Sequence, residues 1–220
     1  HSNWATWNAM RLMKCRASHS PNNSVREIKG NAAVRVIAGK WRGKKLRTPE
    51  GNDIRPTSDR ARGALFNVLA HGKPAATGFR LQGAIVLDAF AGAGALGLEA
   101  LSRGATHASF IENAATSITI LRANIEACGA RQACDIHQAD AANPPNAGSA
   151  CSLILMDPPY GKELLGPSLA ALSAAGWIAA GAICCVELGK GETFDPPHGF
   201  EQLDDRRYGA ARIVILVWCG

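Results

Sequence analysis

Strand and helix patterns alternate along most of this chain, and that alternation constrains the fold more than any other feature. Five apolar runs are predicted strands, at Ala84–Phe90, His107–Glu112, Ala133–Gln138, Ser152–Met156 and Ala182–Leu188. Helical patterns lie between them: one ends near Arg103, and two others span Ala114–Cys128 and Glu163–Ala175. Continuous apolar strands joined by helices are typical of an α/β fold whose parallel sheet is covered on both faces.

Hairpins are predicted on both sides of this alternating region. Gly199–Arg207 and Ala211–Trp218 should turn at Tyr208–Gly209 and add an antiparallel strand to the sheet. Upstream, Val34–Gly39 and a second strand ending at Pro49 predict a β-hairpin with a basic turn around Gly43. A helix over Asp59–Ala70 follows.

Charge is distributed unevenly along the chain. Residues 1–62 hold 14 Lys and Arg against 4 Asp and Glu, a net charge of +10, whereas residues 63–220 carry a net charge of −4. A basic segment ahead of a mildly acidic body is typical of a protein that binds nucleic acid. A solvated basic tail is the plainer alternative. We expect residues 1–33 to be an N-terminal extension and a candidate for disorder.

Composition excludes several classes of protein. With 47% hydrophobic residues the chain is too apolar to be disordered. Its longest nearly unbroken apolar run, Ala174–Val186, is 13 residues long, whereas a membrane span needs about 18 or more. Seven cysteines at irregular spacing, with no Cys-x-x-Cys pair, favour reduced thiols over disulfides or a metal site. We therefore expect a cytoplasmic protein without a metal ion or a membrane partner, and separately we expect a monomer.

The first motif is a glycine-rich turn, Asp88-Ala-Phe-Ala-Gly-Ala-Gly-Ala-Leu-Gly97, between a predicted strand and a predicted helix. Glycine lets the backbone approach a ligand closely at the carboxyl end of a strand. Glu112 ends the second strand, where a carboxylate can accept hydrogen bonds from ribose hydroxyls. The candidate cofactor-binding residues are Asp88, Phe90, Gly92, Gly94, Gly97, Glu112 and Asp140.

Two ligand classes fit such a turn. A dinucleotide places its pyrophosphate at the helix N-terminus, where the charge of Asp88 would repel it. A cation with an amino-acid tail, such as S-adenosylmethionine, fits better because Asp88 could face its ammonium group. Asp140 follows the third strand and could accept a hydrogen bond from an adenine amine, although a turn or N-cap role is nearly as well supported.

The second motif, Asp157-Pro158-Pro159-Tyr160, directly follows an apolar strand. Two prolines make the loop stiff and rich in hydrogen-bond acceptors. The carboxylate of Asp157 and the carbonyl of Pro158 could each accept an N–H of an aromatic amine and aim its lone pair at a methyl donor. Tyr160 offers a ring on which a displaced base could stack. These four residues are the candidate catalytic group.

A third group of residues is basic and precedes the first long helix. Arginine can donate two parallel hydrogen bonds to a phosphate, and lysine supplies a positive point charge. Trp41 could stack on a base, though packing is the more common role for a single tryptophan. The candidate RNA-binding residues are Lys40, Arg42, Lys44, Lys45, Arg47, Arg55, Thr57 and Arg60.

Together, the segments RPTSDRARGALFNVL, VLDAFAGAGALGLEALSRGA and LILMDPPY resemble the RsmD-type 16S rRNA guanine-N2 methyltransferases of bacteria, over residues 34–218. The sequence departs from the family at Gly63, where a glutamate is usual, so this chain lacks that carboxylate. The resemblance implies a Rossmann-like class I methyltransferase domain over residues 59–220. That fold has a seven-stranded, mostly parallel sheet with an antiparallel last strand.

The resemblance further implies a β-hairpin and substrate loop over residues 34–58, S-adenosylmethionine as cofactor, and methylation of the exocyclic N2 of a guanine, guanine 966 of 16S rRNA. It also implies a partly assembled 30S subunit as the binding partner. Three alternatives stay open: a DNA adenine-N6 or cytosine-N4 methyltransferase, an NAD-dependent oxidoreductase, and an RNA-binding assembly factor without activity.

Overall fold

The computed structural model describes residues 34–49, 59–159, 161, 163–209 and 211–220. Its strands are β1 (Val34–Arg35), β2 (Lys45–Leu46), β3 (Ile85–Ala89), β4 (His107–Glu112), β5 (Cys134–Gln138), β6 (Cys151–Met156), β7 (Ile178–Leu188), β8 (Phe200–Tyr208) and β9 (Ala211–Trp218). Its α-helices are α1 (Asp59–His71), α2 (Lys73–Ala76), α3 (Ala95–Ser102), α4 (Ala115–Ala127) and α5 (Leu165–Ala174).

Seven strands form the central sheet in the order β5-β4-β3-β6-β7-β9-β8. The first five strands are parallel neighbours, and β9 is antiparallel to both β7 and β8. The predicted fold, a mostly parallel sheet with an antiparallel last strand, is therefore confirmed. The strand order reverses between β3 and β6, and ligands of open α/β sheets bind outside the carboxyl ends of the strands at such a reversal.

Two hydrophobic clusters lie on opposite faces of the sheet. Alternate residues of one strand contribute to different clusters, as Leu153 and Ile154 of β6 do, because successive strand side chains point to opposite faces. Helices α1, α3 and α4 cover the first cluster, and α5 covers the second. Cys184 and Cys185 are buried in β7, and burial raises the pKa of the Cys185 thiol above its usual range.

The N-terminal hairpin packs into the first cluster through Val34, Val36 and Leu46. Its two strands pair antiparallel as predicted, with Val34 opposite Leu46, but each strand is only two residues long. Val36 N–H still donates to the Lys44 carbonyl across the hairpin, but the N–H groups beyond it, of Ile37 and Ala38, donate to the side chain of Glu99 in α3. A short ladder is thus continued by contacts with a helix.

Two elements start two or more residues away from the predicted position. Helix α5 begins at Leu165 rather than Glu163, because Glu163 has a positive φ of 49° that a right-handed helix cannot accommodate. Strand β7 starts at Ile178 instead of Ala182, since a bulge containing Gly181 (φ 71°) lets the strand continue upstream. The short helix α2 was not predicted.

Two structural features are absent from the described residues. Among these residues, no helix has both the length and the apolar character needed to cross a bilayer. Within the same part of the chain, no group of three or more His, Cys, Asp or Glu side chains is arranged to hold a metal ion.

Candidate active site

The sheet register brings the predicted motifs to one edge. Ala89, the last residue of β3, pairs with Ile111 on β4 and with Met156 on β6. Glu112 and Asp157 directly follow those partners, so they stand on either side of the glycine-rich turn that leaves β3. Neighbouring strands lie about 4.8 Å apart, so the two carboxylates flank a gap about two strands wide.

Asp88 lies beneath this turn and is 1% exposed. Its Oδ2 accepts a hydrogen bond of 2.8 Å from the backbone N–H of Gly97 in the first turn of α3, where a carboxylate also suits the helix dipole. The pKa of Asp88 is raised to about 8, mainly by burial and also by the negative charges of Asp157 and Glu112, while the hydrogen bond from Gly97 opposes the rise. The site therefore gathers three carboxyl groups close enough to influence one another.

Glu112 fixes the glycine-rich turn to the end of β4. One carboxylate oxygen accepts a hydrogen bond from Gly92 N–H at 2.8 Å, and the other accepts one from Ala114 N–H at 2.8 Å. Phe90, which opens the turn two residues before Gly92, has a φ of 72°, an uncommon conformation for a residue with a side chain. Backbone conformations of this kind concentrate at functional sites.

Glycine is required at position 97 and leaves open space at position 92. A Cβ atom at Gly97 would lie 2.4 Å from Phe110 Cε1 and 3.2 Å from the Cβ of Asp88, so a side chain there would disturb both. A Cβ atom at Gly92, which has a φ of 53°, would contact nothing within 4 Å. The turn therefore packs tightly against the sheet on one side and is open on the other.

The loop after β6 carries the candidate catalytic group. Asp157 is half-buried, Pro158 is buried and Pro159 is exposed, while Tyr160 lies outside the described residues. Further along, the carboxylate of Glu192 accepts hydrogen bonds from Gly161 N–H and, at 2.7 Å, from Gly189 N–H. Glu192, which the sequence reasoning missed, thus ties the loop to the end of β7.

Asp140 is exposed in a turn after β5. Its Oδ1 accepts a hydrogen bond of 2.9 Å from Ala142 N–H, the turn role that was the plainer interpretation of this residue. The contact with an adenine amine stays a prediction.

The basic hairpin residues are spread along helix α3. Lys40 N–H donates to the carbonyl of Ser102, the last residue of α3, whereas Arg47 lies near Ala93, just before α3 begins. An eight-residue helix is about 12 Å long. Arg47 therefore lies beside the glycine-rich turn, and the tip of the hairpin lies at the far end of the helix.

Most of the candidate RNA-binding side chains are exposed. This holds for Lys40, Arg42, Lys45, Arg47 and Arg60, while Lys44 is half-buried. The ammonium group of Lys40 lies 4.3 Å from the ring centroid of Trp41, whose ring packs against the first cluster. Trp41 thus has the packing role, and Arg55 and Thr57 lie outside the described residues.

Three polar residues that the sequence reasoning did not assign hold the hairpin: Glu99, Ser102 and Asn124. Glu99 is fully buried and accepts hydrogen bonds from Ile37 N–H at 2.7 Å, Ala38 N–H at 3.0 Å and Arg103 Nε at 2.6 Å. It is the one charged residue of the otherwise apolar helix α3, a signal that could have marked it. Ser102 and Asn124 carry no comparable signal.

Gly63 lies in α1, where the family usually has a glutamate. A Cβ atom here would meet only the Ile37 side chain, at 3.8 Å, an ordinary contact distance. The helix therefore has room for a side chain at this position.

The strand order and the carboxylate-lined edge place the chain in the class I methyltransferase fold. The solved structure of the Escherichia coli protein yhhF superposes with a TM-score of 0.72 at 30% identity, covering 86% of this chain and 99% of that one. The family described as "Conserved hypothetical protein 95" matches residues 34–217, and the chain belongs to it. The resemblance to the RsmD-type proteins is thereby confirmed.

Two curated relatives carry the same descriptive name. The "Ribosomal RNA small subunit methyltransferase D" of Escherichia coli strain K12 is 38% identical over 168 residues, which is 76% of this chain and 78% of that protein. The protein of that name from Haemophilus influenzae is 32% identical over 180 residues, covering 80% of this chain and 89% of the relative.

Proposed function

We propose that this protein transfers a methyl group from S-adenosylmethionine to the exocyclic N2 of a guanine in 16S rRNA, guanine 966 by family resemblance. The observation that carries the proposal is the sheet register, which aligns Glu112 and Asp157 on either side of the glycine-rich turn above buried Asp88. Similarity to two small-subunit rRNA methyltransferases supports the coarser assignment, an rRNA methyltransferase.

The residues at this edge fit the proposed cofactor. S-adenosylmethionine carries a positive sulfonium and a positive ammonium group, and three interacting carboxyl groups favour a cation over a dinucleotide phosphate. The open side of Gly92 leaves room for the ligand to approach the backbone. The cofactor supplies an electrophilic methyl group when it is bound.

Each carboxyl group has a distinct task in this proposal. Glu112 already accepts two backbone N–H groups, and its remaining lone pairs accept the ribose hydroxyls. In the absence of ligand, the raised pKa of Asp88 keeps its carboxyl protonated at neutral pH. An approaching ammonium group ionises this carboxyl, because a nearby positive charge lowers a carboxyl pKa. Asp140 accepts a hydrogen bond from the adenine amine.

Asp157 acts on the substrate amine. The lone pair of a guanine N2 amine is delocalised into the ring, so the amine is a poor nucleophile in its planar form. The Asp157 carboxylate and the Pro158 carbonyl accept its two N–H groups, draw the nitrogen toward tetrahedral geometry and aim the lone pair at the methyl group. The surplus proton leaves toward Asp157, and Tyr160 stacks on the displaced base.

The RNA lies over the basic hairpin in this proposal. Arg47 is beside the glycine-rich turn and the tip of the hairpin is about one helix length away, so the RNA backbone follows α3. The target base must leave its stack, which favours a single-stranded loop over an A-form duplex. The substrate particle by family resemblance is a partly assembled 30S subunit, in the cytoplasm.

Mass spectrometry of rRNA nucleosides tests the proposal. A deletion strain should lack one N2-methylguanosine of 16S rRNA, and the wild-type gene should restore it whereas the Asp157→Ala gene should not. Purified protein with labelled S-adenosylmethionine should modify deletion-strain 30S subunits at the same nucleotide. Label on adenine N6 or cytosine N4, label on DNA, or an unchanged nucleoside profile in the deletion strain would contradict the assignment.

A further inference from the structure

Asn124 joins the basic hairpin to the glycine-rich turn. Its Oδ1 accepts a hydrogen bond from Arg47 N–H at 2.8 Å, and its Nδ2 donates to the carbonyl of Arg47 at 2.9 Å and to the carbonyl of Ala93 at 2.9 Å. Arg47 belongs to the hairpin and Ala93 to the turn between β3 and α3. One side chain of α4 therefore contacts both regions.

The amide of Asn124 is fully used in this bridge. Both of its N–H donors and its oxygen are engaged, and the residue is only 1% exposed. One turn earlier on the same helix, Leu121 packs against Gly94 so closely that a Cβ atom on Gly94 would lie 2.4 Å from Leu121 Cδ1. Helix α4 thus contacts the glycine-rich turn at two points, and one of them, the Asn124 amide, is shared with Arg47.

We propose that Asn124 is a positioning residue that couples RNA binding on the hairpin to cofactor binding in the glycine-rich turn. The inference rests on the proposed function, because it takes the hairpin as the RNA site and the turn as the cofactor site. RNA bound near Arg47 holds the hairpin in place, and the Asn124 amide then holds Ala93 and the turn in the arrangement that receives the cofactor.

Such coupling is reciprocal. If RNA raises the affinity for the cofactor by some factor, the cofactor raises the affinity for RNA by the same factor. The coupling originates in the entropic cost of ordering the bridge. The ligand that binds first bears this cost, so the second ligand binds to a bridge that is already ordered. The enzyme thereby binds its cofactor most tightly when the ribosomal substrate is present.

Ser102 provides a matched control. Its hydroxyl donates to the carbonyl of Ala38 at 2.6 Å and accepts from Trp41 N–H at 3.0 Å, so it also anchors the hairpin from a buried position. It lies at the end of α3 remote from the glycine-rich turn. Ser102→Ala should loosen the hairpin without touching the bridge to Ala93.

The experiment measures equilibrium binding of radiolabelled S-adenosylhomocysteine with and without saturating 30S subunits from the deletion strain. The wild type should bind at least about fivefold more tightly in the presence of the subunits, at the lower end of typical coupling between sites. Asn124→Asp keeps an acceptor for Arg47 N–H but loses both donors. The ratio of its S-adenosylhomocysteine affinities with and without 30S subunits should therefore fall to near one. Ser102→Ala should keep the wild-type ratio even if its 30S affinity falls.

The outcomes separate the inference from the proposed function. If the wild type binds neither ligand, the proposed function fails. If it binds both but shows no coupling, or if Asn124→Asp and Ser102→Ala show the same ratio, the bridge is only structural and the inference is overturned. Thermal unfolding verifies that each variant folds, and Asn124→Ser, neutral and smaller, replaces Asn124→Asp if the latter does not.

Discussion

The glycine-rich edge of the sheet and the N-terminal hairpin are held in place in opposite ways. At the edge, the stabilising contacts join motif residues that the sequence displays, such as Gly97 with Asp88 and Gly92 with Glu112. The hairpin has two-residue strands, and it is held by helix side chains 61 to 77 positions away in the sequence. A site formed by local motifs is visible in a sequence, whereas one that depends on distant anchors is not.

The largest effect is expected from Asp157→Ala at the edge of the sheet. Turnover on 30S subunits should fall by about 10²- to 10⁴-fold, the usual contribution of a positioned acid–base group. Affinity for S-adenosylhomocysteine should change little, because the interaction with the amine matters mainly in the transition state. Normal turnover at saturating substrate would show that Asp157 does not activate the amine.

For the hairpin, the largest effect is expected from Glu99→Ala. The change removes a buried negative charge beside Arg62 and Arg103 and leaves two backbone N–H groups of the hairpin without their acceptor. Breaking a buried ion pair costs about 3–5 kcal/mol, so the free energy of unfolding in urea should fall by that order. Glu99→Gln, which keeps the shape, should lose less. Equal stability of Glu99→Ala and the wild type would mean that the hairpin is not anchored through α3.

A smaller effect is expected at Glu112. Glu112→Gln keeps one acceptor oxygen but replaces the other with an amide NH₂ group. That group only donates, so it cannot accept a hydrogen bond from the backbone N–H or from a ribose hydroxyl. Each lost charge-assisted bond is worth about 1.5–3 kcal/mol, so cofactor affinity in calorimetry should fall at least about tenfold. RNA affinity in the absence of cofactor should be unaffected, and an unchanged cofactor affinity would remove Glu112 from the site.

Asp88 should give the cofactor site a pH dependence. Its folded-state pKa of about 8 lies above the unfolded value, so between roughly pH 4 and 8 the folded state holds an extra proton and stability falls as pH rises. Cofactor affinity should change the opposite way and rise with pH up to about 8, because ammonium binding favours the ionised carboxylate. Asp88→Asn should flatten both profiles between pH 6 and 8.5. Profiles that stay as steep in Asp88→Asn would place the titrating group elsewhere.

Sequence reasoning anticipated the order of the elements and the motif residues because apolar periodicity and glycine-rich turns are local patterns. His107–Glu112 was predicted to the residue, and the seven-stranded sheet with its antiparallel last strand followed from the family resemblance. The anchoring roles of Ser102 and Asn124 could not be anticipated, because each depends on a contact between segments more than 60 residues apart. The role of Glu99 could have been predicted from the sequence, because Glu99 is the one charged residue of helix α3.

In the proposed function the hairpin holds the rRNA and the edge of the sheet carries the chemistry. The most direct test reverses the charge of Lys44, Lys45 and Arg47 together, by Lys44→Glu, Lys45→Glu and Arg47→Glu, and measures binding to deletion-strain 30S subunits across a salt series. If the hairpin holds the rRNA, 30S affinity should fall steeply and its salt dependence should weaken by about one unit of slope per lost phosphate contact. Cofactor affinity measured without RNA should be unchanged. Undiminished binding to 30S subunits would contradict the claim.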